Sequence, residues 1–349
     1  MIGQQRIISL VLLNTYLGTI SEDNCEIAKT NFKNQTSKLN IYYNYKFIEN
    51  WFSSKDKKYK QKIIDAMQNI LEVVIIKVSE LSEAFQLFDS QNTRGKELHP
   101  HDLLKAYHLR AMKNNKKEEM KKVVEKWERK EPEEIEELFK NYLYPITNWS
   151  KRLNTKEFTV KEIDKYKGVS ENTSYTYAQR AKKATPYFQI TEPFTEGKDF
   201  FEMVEHYLKL LNRIKTEIYN NPKFKKIAKI LSKENRNAGY NYTKNLFWCI
   251  LMCYYDKFNN FEEEVVKKLC IWAFLLRVNL KRVGYDSINK YAIGNKENKR
   301  NIYSNYIPMF FIISESRLHS EIENIQINTD ITKRPNQEWQ ELYRELLDL

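Results

Sequence analysis

Apolar residues recur along most of this chain at spacings of three and four, the period of an α-helix with one face turned inward. Over residues 5–20 they fall on nearly every side (Ile7, Ile8, Leu10, Val11, Leu12, Leu13, Tyr16, Leu17, Ile20), which predicts a first helix covered almost all round. Polar punctuation over 21–40 reads as a loop, and Ile41 to Phe47 reads as a short strand from its aromatic and β-branched content. Helical spacing returns over 57–71, followed by Val73 to Val78, a β-branched run of strand length. Ser82 can cap a further helix through Phe85 and Phe88 that ends by Gly95. Pro100 is placed as the first residue of the next helix, with Asp102 in its first turn. From Asn114 onward the pattern is almost wholly helical, near 116–129, from Pro132, and near 198–219, 241–256, 262–283 and 335–348. The expected fold is mainly α with some α+β character: a small α/β unit over 1–112, then a larger all-helical domain over 113–349. The Thr-, Ser- and Lys-rich stretch from Lys151 to Thr195 reads as a junction or a mobile arm.

A chain of 349 residues exceeds the usual size of a single core, in keeping with two domains. Its 58 Lys and Arg against 46 Asp and Glu leave a net charge of +12, which favours phosphate-bearing partners through a long-range, salt-sensitive field. Lysine is abundant throughout, however, so solvated helix faces account for the excess as well as a binding surface does. The four cysteines are scattered without a CxxC pair, which excludes a disulfide framework and a zinc ribbon and fits a reducing, cytoplasmic setting. Cys249 and Cys253 read as buried thiols on one helix. No stretch approaches the ~18 apolar residues a membrane span needs. The run from Ile7 to Leu13 is too short and lacks a cleavage site, so it is not a signal peptide.

Two strings carry candidate chemistry. Gly3-Gln4-Gln5-Arg6 opens into the first apolar helix, where glycine permits close backbone approach, free N–H groups face outward, and Arg6 can grip phosphate oxygens with two parallel hydrogen bonds. A polar helix cap would explain the same four residues. The second string runs from Phe88 to Lys105, and within it Asn92, Arg94 and Gly95 sit in a tight loop between two helices, a place where polar groups can clamp an anion.

Together the two strings resemble the N-terminal domain family of GmrSD-type restriction endonucleases. That family shows an Asp-Gly-Gln-Gln-Arg string before a Leu-rich helix, then a later string matched here by Phe88, Asn92, Gly95, Leu98, Asp102, Leu103, Leu104 and Lys105. The resemblance covers residues 1 to about 112. It implies a ParB/sulfiredoxin-like fold that binds nucleoside triphosphate with Mg²⁺ and, in several relatives, hydrolyses it to license a nuclease acting on modified or foreign DNA. On that likeness Gly3, Gln4, Gln5 and Arg6 would line the phosphate site, and Asn92, Arg94 and Gly95 would face it.

The chain departs from the family string at Ile2, where the family has Asp, so a carboxylate that could hold a metal or water is replaced by an apolar group. The family's upstream strands have no counterpart before Gly3, so an internal start or a separate polypeptide completing the fold is expected, and oligomer formation stays open. Of the five histidines none lies in a His-rich nuclease string, so no nuclease is expected here and catalytic residues stay unassigned. His99 and His101 read as exposed cap residues rather than metal ligands. Arg277 and Lys281, four apart, with Arg282 and Arg300, outline a basic surface for DNA, and Tyr175, Tyr177, Arg180, Lys182 and Lys183 a second; core packing and solvated faces explain both as well. The sequence therefore points to a nucleotide-binding regulatory part of a restriction system whose nuclease lies in another chain. The main competing reading is a non-catalytic DNA-binding or protein-interaction module with a degenerate nucleotide site, and a third is a truncated gene product without independent activity.

Overall fold

The computed structural model describes residues 2–20, 32, 35–72, 99–112, 117–169, 189–233, 237–294, 306–329 and 337–349. The chain divides into two compact units, residues 1–77 and 78–349.

The first unit contains α1 (Ile2–Leu17), α2 (Gln35–Ser53) and α3 (Lys57–Asn69). Ile41 to Phe47, expected as a strand, lie inside α2. Their β-branched and aromatic content is overridden because Tyr45 and Phe52, seven apart, fall on one helical face against Tyr16 of α1, with ring centroids 6.2 and 5.4 Å away. Phe52 is the only fully buried side chain of this unit among the described residues. The expectation of an enclosed first helix is corrected accordingly: α1 is half-buried, and Ile7 is largely exposed. Asp56 caps α3 by accepting a hydrogen bond from the Tyr59 N–H at 2.7 Å. The run from Val73 to Val78 and the helix expected from Ser82 lie outside the described residues.

Among the described residues the second unit is helical. It holds α4 (Pro100–Ala111), α5 (Lys117–Glu128), α6 (Pro132–Glu137) and α7 (Tyr144–Ser150), then α8 (Lys198–Asn220), α9 (Lys225–Ser232), α10 (Ala238–Phe258) and α11 (Glu263–Asn279). The short α12 (Tyr285–Ala292), α13 (Met309–Glu315) and α14 (His319–Glu323) precede α15 (Gln337–Leu347). Helices α10 and α11 pack along each other at the centre, which explains their near-continuous apolar sequences: α11 also meets α15, and α10 meets α8, α12 and α13. Cys249, Cys253 and Cys270 are buried here. Between α6 and α7 the chain makes a π-helical turn, Leu138–Leu143, ahead of Pro145. Pro145 has no N–H for the Asn141 carbonyl, which instead accepts from Asn245 Nδ2 at 3.1 Å and Cys249 Sγ at 3.0 Å on α10.

Among the described residues there is no sheet, only a single parallel bridge between Val169 and Thr195. Residues 151–169 are packed rather than forming an arm. Phe158 and Tyr166 are buried, and Asn289 of α12 accepts from the Thr155 N–H at 3.0 Å and from Trp149 Nε1 at 2.8 Å. Helix α4 belongs by packing to this unit, against α6, α8 and the 3₁₀ turn Val160–Tyr166, so the division between compact units precedes the boundary expected after residue 112.

Candidate functional site

Gly3, Gln4, Gln5 and Arg6 form the first turns of α1, which begins at Ile2. No acidic residue occupies the first turn, so the positive end of the helix has no side-chain carboxylate opposing it there. Gln5 and Arg6 are exposed. A helix N-terminus with a solvent-facing guanidinium on its second turn can receive phosphate oxygens without rearrangement. Asn92, Arg94 and Gly95, the residues expected to face it, lie outside the described residues.

The end of the second string is described, and its residues are structural. Pro100 is the first residue of α4 and Asp102 lies in its first turn, as the sequence indicates. Leu104 is buried in the core, and Lys105 reaches Glu128 of α5 at 3.4 Å. His101 is not an exposed cap: it is buried, with its ring stacked 5.3 Å from that of His99, and burial holds its pKa below the ordinary histidine value. His99 does remain half-exposed, 3.3 Å from Glu136. Two turns beyond His101, His108 is fully buried and fully satisfied. Its Nε2 lies 2.7 Å from the Tyr166 carbonyl, its Nδ1 accepts the Gly197 N–H at 3.0 Å, and its ring stacks 4.0 Å from Phe200. With Nδ1 accepting, the neutral ring carries its proton on Nε2 and donates it to Tyr166. Burial lowers the pKa to about 3.

The expected DNA surface is corrected at Arg277. This residue is 1 % exposed; its guanidinium lies 4.2 Å from the Trp339 ring of α15 and donates to the Lys281 carbonyl at 3.1 Å. The four-residue spacing that suggested a shared outer face instead turns Arg277 inward to join α11 to α15. Lys281 and Arg282 are exposed just beyond α11, whereas Arg300 and the patch from Tyr175 to Lys183 lie outside the described residues.

Two polar features escaped the sequence reading. A groove of about 480 Å³ runs between α5 and α8, with Trp127, Phe201 and Val123 below a rim of lysines and glutamates; Lys198 pairs with Glu119 at 3.0 Å and Lys126 with Glu205 at 3.5 Å. The side chain of Asp256 on α10 is buried, accepting from the Ile190 N–H at 2.8 Å and the Tyr207 hydroxyl at 3.2 Å, with His206 Nε2 at 3.8 Å. Burial raises its pKa, and these donors oppose the rise. The visible signal was a lone carboxylate inside an apolar helical stretch, Met252-Cys253-Tyr254-Tyr255-Asp256.

No helix among the described residues is long and apolar enough to cross a membrane. No curated protein and no solved structure matches the chain. Two family models do. Residues 3–109, which include both strings, match the GmrSD restriction endonuclease, N-terminal domain, and residues 119–341 match a family of unknown function, DUF7834. The second match takes in almost the whole helical bundle from α5 into α15, and with more than half its length so matched, the chain belongs to the DUF7834 family and carries a GmrSD-type N-terminal domain ahead of it.

Proposed function

We propose that this protein is a nucleotide-binding regulatory component of a DNA restriction system, acting with a nuclease carried by another chain. The observation that carries the reading is the GmrSD restriction endonuclease N-terminal domain match over residues 3–109. The placement of Arg6 supports it: the side chain is exposed on a helix whose first turn has no opposing carboxylate, a setting suited to a triphosphate. Arg6 would bind phosphate oxygens and the backbone N–H groups of Gly3 and Gln4 would receive others, whereas Asn92, Arg94 and Gly95 lie outside the described residues. Mg²⁺ would neutralise and orient the phosphoryl oxygens, held largely by those oxygens and water. Among the described residues no cluster of three His, Cys, Asp or Glu side chains is placed to hold a metal alone. Ile2 supplies no oxygen for the metal or for an attacking water, so binding without efficient hydrolysis is expected. Signalling would then follow occupancy rather than turnover.

The experiment is to incubate the purified chain with Mg²⁺, nucleoside triphosphates and unmodified or base-modified DNA, following phosphate release and DNA length. Intact DNA and negligible phosphate release are expected. Metal-dependent DNA cleavage by the chain alone would overturn the assignment of the nuclease to another polypeptide.

A further inference from the structure

Helix α2 is apolar on two opposite sides. The helical period places Ile41, Tyr45, Ile48 and Phe52 on one side, where Tyr16 of α1 meets Tyr45 and Phe52. The opposite side carries Leu39, Tyr43 and Phe47 at intervals of four, flanked by Tyr42 and Trp51, and all five are exposed, Tyr43 by 63 % and Phe47 by 70 %. An apolar helix face is ordinarily covered, and a contiguous exposed patch of this kind marks an interaction surface. Trp51 continues into a mixed cluster: the Lys55 ammonium lies 5.4 Å from the Trp51 ring and 5.6 Å from the Tyr59 ring, and the two rings are 5.7 Å apart. Residues 35–72 contain seven lysines against four acidic residues.

The occupant of such a face must bring flat apolar groups and negative charge together. An apolar protein helix would bury the rings but leave the lysine excess without a role. Duplex DNA meets the lysines but hides its base faces. Single-stranded nucleic acid offers unpaired bases for the rings and phosphates for the ammonium groups at once. We infer that the exposed face of α2, extended by Trp51, Lys55 and Tyr59, binds single-stranded nucleic acid, with bases stacked on the aromatic rings and the backbone tracked by lysines. This goes beyond the nucleotide site and uses none of its residues.

The test measures fluorescence anisotropy of a labelled oligothymidine of about 20 nucleotides, and of a duplex of equal length, with the full-length chain in the absence of nucleotide. The single strand should bind about tenfold tighter than the duplex or better. The double variant Tyr43→Ser, Phe47→Ser should weaken it about tenfold or more, with helicity by circular dichroism unchanged. The variant Tyr43→Leu, Phe47→Leu keeps the face apolar but removes the rings and should weaken it likewise, whereas a protein interface would tolerate leucine. Lys55→Gln should lower the salt slope by about 0.7. Equal affinity for duplex, or wild-type affinity in the leucine variant, overturns the inference. An absence of oligonucleotide binding, coupled to a drop in particle mass in the serine variant by light scattering, overturns it too and assigns the face to a second copy of the chain.

Discussion

Replacing His108 by phenylalanine tests the packing account of the second unit in numbers. The aromatic ring and its contact with Phe200 at 4.0 Å survive, but the Tyr166 carbonyl and the Gly197 N–H are left buried without their partner. Each orphaned group costs about 1–3 kcal/mol, so a loss of about 3 kcal/mol is expected near pH 7.5. The pH dependence adds a sharper signature. The folded-state pKa of about 3 lies below the ordinary 6.5, so between these values the unfolded chain takes up a proton that the folded chain refuses. Stability from this group is therefore complete above pH 6.5 and falls by about 1.4 kcal/mol for each unit below it. At pH 5 the wild type has lost about 2 kcal/mol on this account and the variant nothing, so the gap between them should narrow from about 3 to about 1 kcal/mol. Urea unfolding of both proteins at pH 7.5 and pH 5, followed by circular dichroism, measures it. A gap that stays constant or widens on acidification would refute a neutral, doubly hydrogen-bonded His108.

Two further expectations concern the same bundle. Gly168 has φ +71°, and an added Cβ would lie 2.8 Å from the Phe194 carbonyl oxygen, so Gly168→Ala should lower stability by about 2 kcal/mol or more in thermal unfolding; an unchanged melting temperature would contradict the bridge geometry at Val169. The thiols of Cys249, Cys253 and Cys270 are buried with raised pKa values, that of Cys253 pushed up to about 12, so a disulfide reagent should titrate no more than Cys25 in the native chain and all four in denaturant. Rapid native modification at any of the three would show that α10 and α11 open.

The helical bundle was legible because periodicity reports burial averaged over several turns. The spacing over 57–71, 116–129, 198–219, 241–256, 262–283 and 335–348 located α3, α5, α8, α10, α11 and α15, and Pro100 and Pro132 marked the starts of α4 and α6. Where the reading failed, tertiary contacts decided. Ile41 to Phe47 have strand-like residues, yet their four-residue spacing against α1 makes them helical. Arg277 and His101 carry polar groups that a sequence places at the surface; Arg277 instead packs on Trp339, distant in sequence, and His101 stacks on the half-exposed His99 ring across Pro100. His108 and Asp256 were invisible as sites because their partners, Tyr166, Gly197, Ile190 and Tyr207, lie roughly 50 to 90 residues away. The helix that Gly3 to Arg6 open was readable because a helix start is a local feature.

The proposed function rests on Arg6, in the first turns of α1, receiving a triphosphate. Isothermal titration of the wild-type chain and Arg6→Ala with Mg²⁺ and each common nucleoside triphosphate tests it most directly. The side chain is exposed, so the variant should fold normally. Loss of a charge-assisted contact is worth about 1.5–3 kcal/mol, a fall in affinity of about tenfold to a hundredfold. Weak but measurable binding by the wild type and none detectable by Arg6→Ala are expected; equal affinities in the two proteins would rule out Arg6 as the phosphate ligand.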